Sequence, residues 1–514
     1  MEFGLVGTAK SNPDRTALVL GEQRRSYGEF NARVNRLANG LLHAGLGAED
    51  KIAVLLKNSF EFFEVTNAAT KLGAVAVPVN YHLKAAEIEY IVNDSDATVF
   101  VYDAEFLKPD VLEPILDKLP KVKLQLCLGK PPAGAKSYEE FLSRQSDGEP
   151  PVGERTVMPA TMVYTSGTTG RPKGVYRKPR DLGQAAQLFM GFMQMFNLAP
   201  GDVHLLVGPL YHAAPSMFAN LHIALGGTVV ILQKFDPEEA LRLIERERVA
   251  TTHMVPTMFV RILNLPEEER RRYDLSSLKS VVHAAAPCPV DVKWRIMELF
   301  GPDTIYEYYA ATEVGGTYIS PEEWRRKPGS VGRPFPGATV KIFDDAGNEC
   351  RPGEIGTIYM RLEGMSDFQY YKDEDKTRSA RRENMVTVGD MGYFDEEGYL
   401  FIADRKIDMV ISGGVNIYPK EIEEVLISHP KILDVAVIGV PDAEWGEQLK
   451  AIVQLKPGEK ADAEEIIRFA SERLAGYKRP RSVDFVDELP RELTGKLLKR
   501  KLKERYWAGR DRLV

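Results

Sequence analysis

Residues 52–102 read IAVLLKNSFEFFEVTNAATKLGAVAVPVNYHLKAAEIEYIVNDSDATVFVY. Three apolar runs, Ile52–Leu56, Ala74–Val79 and Thr98–Tyr102, are separated by Phe60–Lys71 and Lys84–Val92, which carry helical periodicity. The alternation is βαβαβ, which predicts a parallel sheet covered by helices and therefore an α/β fold. Just upstream, Ser26-x-x-Glu29 heads a periodic stretch to Leu42 and predicts a capping box on an amphipathic helix that stops at the turn Gly45-Leu-Gly47.

Working towards the C-terminus, Gly129–Arg155 is rich in Pro, Gly and Ser and reads as a connection. A second block opens with the strand-like Thr161–Tyr164 and continues through Thr228–Leu232, Pro237–Arg246, Ser280–His283 and Val290–Phe300. After Gly329 the pattern changes to short strands with turns (Val340–Phe343, Ile355–Arg361, Tyr399–Ile402), a small β-rich section. From about Asp404 the tail is α+β, with strands at Met409–Ser412, Val435–Val440 and Ala451–Leu455 and helices at Pro419–Ser428 and Ala461–Leu474. The expected division is a large domain over residues 1–403 and a small one over 404–514.

A chain of 514 residues exceeds what one hydrophobic core supports, so more than one domain is expected. With 44% hydrophobic and 27% charged residues, disorder is excluded as the main state. Lys and Arg number 67 against 74 Asp and Glu, a net charge of −7 with no long basic block, which argues against a nucleic-acid binder. Three dispersed cysteines, Cys127, Cys288 and Cys350, fit a reducing cytoplasm and neither a disulfide framework nor a cysteine zinc site. The N-terminal residues lack the pattern of a secretory signal. Leu205–Leu232 carries no charged residue and has the length of a bilayer span, but its prolines, histidines and Gly226-Gly227 read better as loop, buried helix and buried strand.

The chemistry concentrates in Tyr164-Thr-Ser-Gly-Thr-Thr-Gly-Arg-Pro-Lys-Gly-Val175. Glycines let backbone N–H groups turn to an anion, hydroxyls add donors and Lys173 adds charge, a combination suited to a triphosphate. It is not a Walker A loop, because Lys173 follows proline and precedes glycine. No Gly-x-Gly-x-x-Gly follows a strand, so a dinucleotide redox enzyme lacks support.

This string resembles the phosphate loop of the adenylate-forming superfamily, which includes acyl-CoA synthetases, adenylation domains of peptide synthetases and luciferases. Further motifs appear in the order that family uses, and the resemblance covers nearly the whole chain. It implies nucleotide contacts from Thr165, Ser166, Gly167, Thr168, Thr169, Gly170 and Lys173. Tyr306-Glu-Tyr-Tyr-Ala-Ala-Thr-Glu313 resembles the adenine and metal segment, which implies that the aromatic pair Tyr308 and Tyr309 borders adenine, Thr312 meets phosphate, and Glu313 with Thr168 binds Mg²⁺. Ala310 stands where the family generally has glycine. Tyr306 and Glu307 read as an aromatic strand end with a solvated acid.

His283-Ala-Ala-Ala-Pro287 resembles the other wall of the adenine site, giving Ala284 and Ala285. Asp390 and Arg405 match the ribose contacts, and a carboxylate suits two vicinal hydroxyl donors. Gly413 and Gly414 match glycines beside the pantetheine arm of coenzyme A, and Lys496 in Leu489-Pro-Arg-Glu-Leu-Thr-Gly-Lys496 matches the adenylation lysine. His212 matches a histidine that borders the substrate carboxylate. The family's hinge position falls on Ile407, between the domains of which the smaller is expected to be mobile.

The resemblance implies an ATP- and Mg²⁺-dependent acyl-CoA synthetase acting on a fatty or ring-bearing acid, with coenzyme A as co-substrate. It leaves an amide-forming adenylating enzyme and a non-catalytic nucleotide-binding protein as alternatives. The expected partners are a small carboxylic acid and coenzyme A, without nucleic acid or membrane span. The oligomeric state stays open, a homodimer included.

Overall fold

Two sheets with parallel strands at their centres carry the large domain, and the apolar runs of residues 52–102 account for the first. The computed structural model describes residues 4–153, 157–165, 172–412, 415–442, 444–492 and 496–508. Among these described residues, Val75–Pro78, Lys51–Leu55, Val99–Asp103, Leu124–Leu128 and Lys136–Ser137 lie side by side in that order as a wholly parallel sheet. Its crossover helices, Phe60–Leu72 and Ala85–Asp94, occupy the stretches that the periodicity assigns to helix. The expected capping box is present: Ser26 accepts from the Glu29 N–H and Glu29 from the Ser26 N–H, opening the helix Tyr27–His43.

The second sheet has nine strands. Its parallel centre runs Ile305–Ala311, Ser280–His283, Thr251–Met254, Val203–Leu206, Thr228–Ile231 and Thr16–Leu20, and antiparallel strands close both edges. The central strands bury polar side chains among apolar ones, and several of these find partners inside the sheet: His204 Nδ1 meets Thr251 Oγ1 at 2.9 Å, and the Thr252 hydroxyl donates to the Leu205 carbonyl at 2.8 Å. Asn58, 2% exposed, ties the two parallel sheets together: its amide donates to the carbonyls of Gly208 and Leu232, and its oxygen accepts from the Leu210 N–H.

Two expectations change. Gly129–Arg155 is not merely a connection, because Lys136–Ser137 becomes the edge strand of the first sheet and Tyr138–Ser143 a short helix whose Tyr138 is fully buried. Thr161–Thr165 does not open another parallel unit; it pairs antiparallel with Lys173–Arg177, which in turn pairs with Phe368–Tyr370 in a separate three-stranded sheet. In the C-terminal helix Lys499–Trp507, Lys499 is 8% exposed and bonds Glu423 at 2.8 Å, and Lys503 reaches Asp408 at 3.2 Å. Leu205–Leu232 resolves into strand, helix Ala213–Ala224 and strand, and no described helix is long and apolar enough to cross a membrane.

A further sheet of six strands, antiparallel throughout, is built from the β-rich section. Its last strand, Leu400–Arg405, runs across the expected division after residue 403, and the Lys406 N–H still bonds the Gly389 carbonyl at 2.9 Å. Beyond it, Val410–Ser412, Val415–Ile417, Ile432–Asp442, Gly446–Leu455 and Ser482–Phe485 form the sheet of the smaller C-terminal domain. Its apolar centre includes Ile422, Leu426, Val437, Ala451 and Ile466. Lys420 spans the two domains, its N–H bonding the Asp404 carboxylate at 2.9 Å and its ammonium the Ile402 carbonyl at 2.6 Å.

Candidate active site

The strand Ile305–Ala311 organises the site, because successive side chains leave a strand on opposite faces. Tyr308, expected beside adenine together with Tyr309, goes instead to the face opposite Tyr309, against Phe196, Phe218 and His253. Tyr309 goes to the other, where its hydroxyl donates to Asp390 at 2.7 Å; burial beside that carboxylate raises the phenol well above its ordinary value. Asp390 is 8% exposed and its second oxygen meets Arg405 Nε at 3.3 Å across paired strands. The structure thus brings Tyr309, Asp390 and Arg405 into one cluster.

Between Tyr309 and Ala311 the pairing register shifts, so Ala310 sits at an irregularity of the strand, and its φ is not positive. The strand then returns through Thr312 and Glu313 to Val314–Ile319. The Glu313 carboxylate accepts from the Tyr370 hydroxyl at 2.8 Å. Ala284 and Ala285 follow the strand Ser280–His283, and Ala285 holds a left-handed backbone at φ +73°, a conformation that side chains with a Cβ disfavour.

Thr165 and Lys173 face each other at the end of the hairpin Thr161–Arg177 where its two strands are joined. Lys173 Nζ is buried, makes no hydrogen bond among the described residues, and lies 5.7 Å from the Tyr370 ring centroid. A buried ammonium without an acceptor is costly unless an anion completes it. Ser166, Gly167, Thr168, Thr169 and Gly170 lie outside the described residues, as do Gly413 and Gly414.

Lys496 is brought to this cluster from the C-terminal domain, where the Glu492 N–H bonds the Lys496 carbonyl at 2.9 Å and closes the loop. Burial holds its ammonium below the ordinary value, as does the charge of Arg405, while Glu492, Asp390 and Glu313 act the other way. His212 stands at the N-cap position of the helix Ala213–Ala224, its side chain making no capping hydrogen bond. Burial pushes its imidazole down to about 4, with Glu492 opposing and Lys496 adding to the shift. His212 is therefore neutral at physiological pH and would meet a carboxylate as a hydrogen-bond donor rather than as a cation.

A correction concerns Glu307. Expected as a solvated acid, it is 6% exposed and bonds Lys293 at 2.6 Å, with His283 Nε2 at 3.4 Å. Burial alone would raise its carboxyl; the Lys293 and His283 charges hold it down at about 2. Lys293 sits on the helix Val290–Phe300, which packs under the strand, and no local pattern marks the pairing. Sequence reasoning also passes over Tyr370, Arg177 and the helix Leu182–Met195, which carries no charged residue, although that last feature is visible in the sequence.

Mg²⁺ favours hard oxygen ligands, often one or two carboxylates completed by substrate phosphates. Glu313 fits that role, and the orphaned Lys173 ammonium fits the phosphates. Among the described residues no group of three or more His, Cys, Asp or Glu side chains forms an all-protein metal cage.

Residues 6–368 match the family model of the AMP-binding enzyme, and residues 421–496 that of the AMP-binding enzyme C-terminal domain. A feruloyl-CoA synthase from Amycolatopsis sp. is 34% identical over 98% of each chain. A long-chain-fatty-acid–CoA ligase from Mycobacterium tuberculosis is 34% identical over 94% of each. Among solved structures, an anthranilate CoA ligase in complex with anthranoyl-AMP aligns with a TM-score of 0.87 at 27% identity, covering 98% of both chains. The chain belongs to the AMP-binding enzyme family, the adenylate-forming superfamily that its ordered motifs resemble.

Proposed function

We propose that the protein is an ATP-dependent acyl-CoA synthetase for a hydrophobic carboxylic acid, fatty or ring-bearing. The observation that carries this reading is the cluster in which Tyr309 and Arg405 meet the Asp390 carboxylate at 2.7 and 3.3 Å, with the buried Lys496 of the C-terminal domain within reach of its charges. In the first half-reaction a carboxylate oxygen bonds the α-phosphorus, and the bond from that phosphorus to the bridging oxygen breaks, releasing pyrophosphate. In the second, the coenzyme A thiol loses its proton and bonds the acyl carbon as AMP leaves. Asp390 and Arg405 are assigned to ribose, Tyr309 with Ala284 and Ala285 to adenine, and Thr165, Thr312 and Lys173 to phosphates.

Lys496 supplies a preorganised positive charge where the carboxylate and α-phosphate meet. Mg²⁺, when bound by Glu313 and Thr168, neutralises charge on phosphate oxygens. Phe196, Phe218 and Tyr308 support an apolar acyl wall. Gly413 and Gly414 are assigned to the pantetheine path. We assign the turn between half-reactions to the segment at Ile407, just past the last sheet bond of Lys406. Relatives named for feruloyl and long-chain fatty substrates support both acid classes.

The test is pyrophosphate release across acids of varied chain length and ring content, with and without coenzyme A. Thioester formation with at least one such acid is the expected result; amide formation with a supplied amine, and no thioester, would overturn the acceptor assignment. Lys496→Ala is expected to slow adenylation about 10²–10³-fold while sparing capture of a supplied acyl-adenylate.

A further inference from the structure

The phosphate hairpin and the Thr312–Glu313 turn belong to different sheets, yet a nucleotide that uses both needs them in fixed register. Two side chains from the three-stranded sheet cross the gap. Arg177, at the end of the hairpin's second strand, donates to the Thr312 carbonyl through Nε at 3.1 Å and Nη2 at 2.8 Å, and to the Ser366 carbonyl through Nη1 at 2.6 Å. Tyr370, on the neighbouring strand Phe368–Tyr370, donates its hydroxyl to the Glu313 carboxylate at 2.8 Å. One residue grips the backbone of the turn and the other grips its acidic side chain.

We propose that Arg177 and Tyr370 are positioning residues that bolt the Thr312–Glu313 turn to the phosphate hairpin, so that both halves of the triphosphate site keep one geometry. The proposal rests on the nucleotide reading given above. Only a planar fork makes this contact: the guanidinium meets one carbonyl through two nitrogens and a second through the third, which an ammonium on a flexible stem does not reproduce. The acceptors are carbonyls, so no carboxylate in direct contact neutralises the guanidinium. Burial brings it down to about 10, with Glu313 opposing, and it remains a cation at neutral pH. Tyr370 contributes no charge, so Glu313 keeps its negative charge for a ligand cation. Holding reactive groups in place matters because displacements near 1 Å cost on the order of 10²-fold in rate.

The test compares wild type with Arg177→Lys and Tyr370→Phe. Arg177→Lys keeps the charge and loses the fork; it is expected to raise the KM for ATP about tenfold and to shrink the melting-temperature shift produced by ATP alone, with the KM for the acid within about twofold. Tyr370→Phe is expected to raise the Mg²⁺ concentration for half-maximal rate roughly tenfold, the scale of losing a group that orients a metal ligand. The ligand-free melting temperature stays near wild type in both. Wild-type ATP parameters in Arg177→Lys would overturn the proposal, as would an equal rise in both KM values accompanied by a lowered ligand-free melting temperature. Should Arg177→Lys fail to fold, Tyr370→Phe decides: unchanged Mg²⁺ dependence overturns the proposal. A wild-type protein whose melting temperature ATP does not shift would instead sink the nucleotide reading itself.

Discussion

Glu307 and Glu313 belong to one strand and the turn that ends it, yet the protein treats their charges in opposite ways. Glu307 is buried against a lysine at 2.6 Å, with a histidine beside it. Glu313 is half-exposed and held by a neutral hydroxyl, with no ammonium or guanidinium bonded to it among the described residues. The first charge is neutralised within the fold. The second remains available to a ligand cation, which is what a metal-binding carboxylate requires. Two acids of the same type thus separate into an anchor under the sheet and a group kept for chemistry, and the partner residue makes the difference.

The comparison breaks most sharply at Lys293. Lys293→Met leaves the Glu307 carboxylate buried without its cation, and stability is expected to fall by about 3–5 kcal/mol, read as a lowered calorimetric melting temperature. Adding Glu307→Leu removes the orphaned charge and should recover most of the loss. Full stability in Lys293→Met alone would show that the pair does not anchor the strand.

Glu313→Gln is expected to give the opposite signature. Turnover should fall about 10²-fold, the scale of losing one electrostatic contact at a reacting phosphate, while the melting temperature stays near wild type. A melting temperature lowered together with activity would place Glu313 in the anchoring class with Glu307.

The anchor also has a pH signature. The Glu307 carboxyl is held at about 2, below its ordinary value of 4.5, because the attraction of Lys293 and His283 outweighs burial. A carboxylate depressed on folding contributes stability that is present above the unfolded value and lost as the pH falls through the folded one. Wild type should therefore lose stability between about pH 4.5 and 2, and Glu307→Gln should lose less across that window. Lys293 is itself lowered by burial, which acts on the alkaline side, while His283, lowered by burial too, adds an acid-side loss of its own, so the share of the carboxylate is read as the difference between the two proteins. Parallel acid profiles for the two proteins would remove Glu307 from that limb.

What the sequence discloses follows the range of the interaction. The strand Lys51–Leu55, the capped helix Tyr27–His43 and the crossover helix Phe60–Leu72 are legible because caps and periodicity act within a few residues. The pairing of Thr16–Leu20 with Thr228–Ile231 is not, since more than 200 residues intervene and no local signal names the partner. The same limit applies at the site. The motif order marks Glu313, Asp390 and Lys496, but the links Arg177 to Thr312 and Tyr370 to Glu313 join residues far apart in sequence. Glu307 misleads because an acid among tyrosines looks solvated until Lys293 is seen beneath it.

The smallest expected effect comes from a change that touches no charge. Ala285 holds φ +73° at the turn after the strand that ends in His283, and it is exposed, so its methyl adds little packing. An L-residue there costs about 1–2 kcal/mol relative to glycine in the folded state. Glycine in turn frees the unfolded chain, which offsets roughly 0.4–1 kcal/mol of that relief. Ala285→Gly should therefore stabilise the protein by roughly 0–1.6 kcal/mol, seen as a small rise in melting temperature, with the KM for ATP unchanged because the backbone shape of the adenine wall is preserved. If the melting temperature fell instead, the alanine methyl would be holding the turn. The wall at the end of the His283 strand would then depend on side-chain packing rather than on backbone conformation, and the ion pair beneath it would not be its only support.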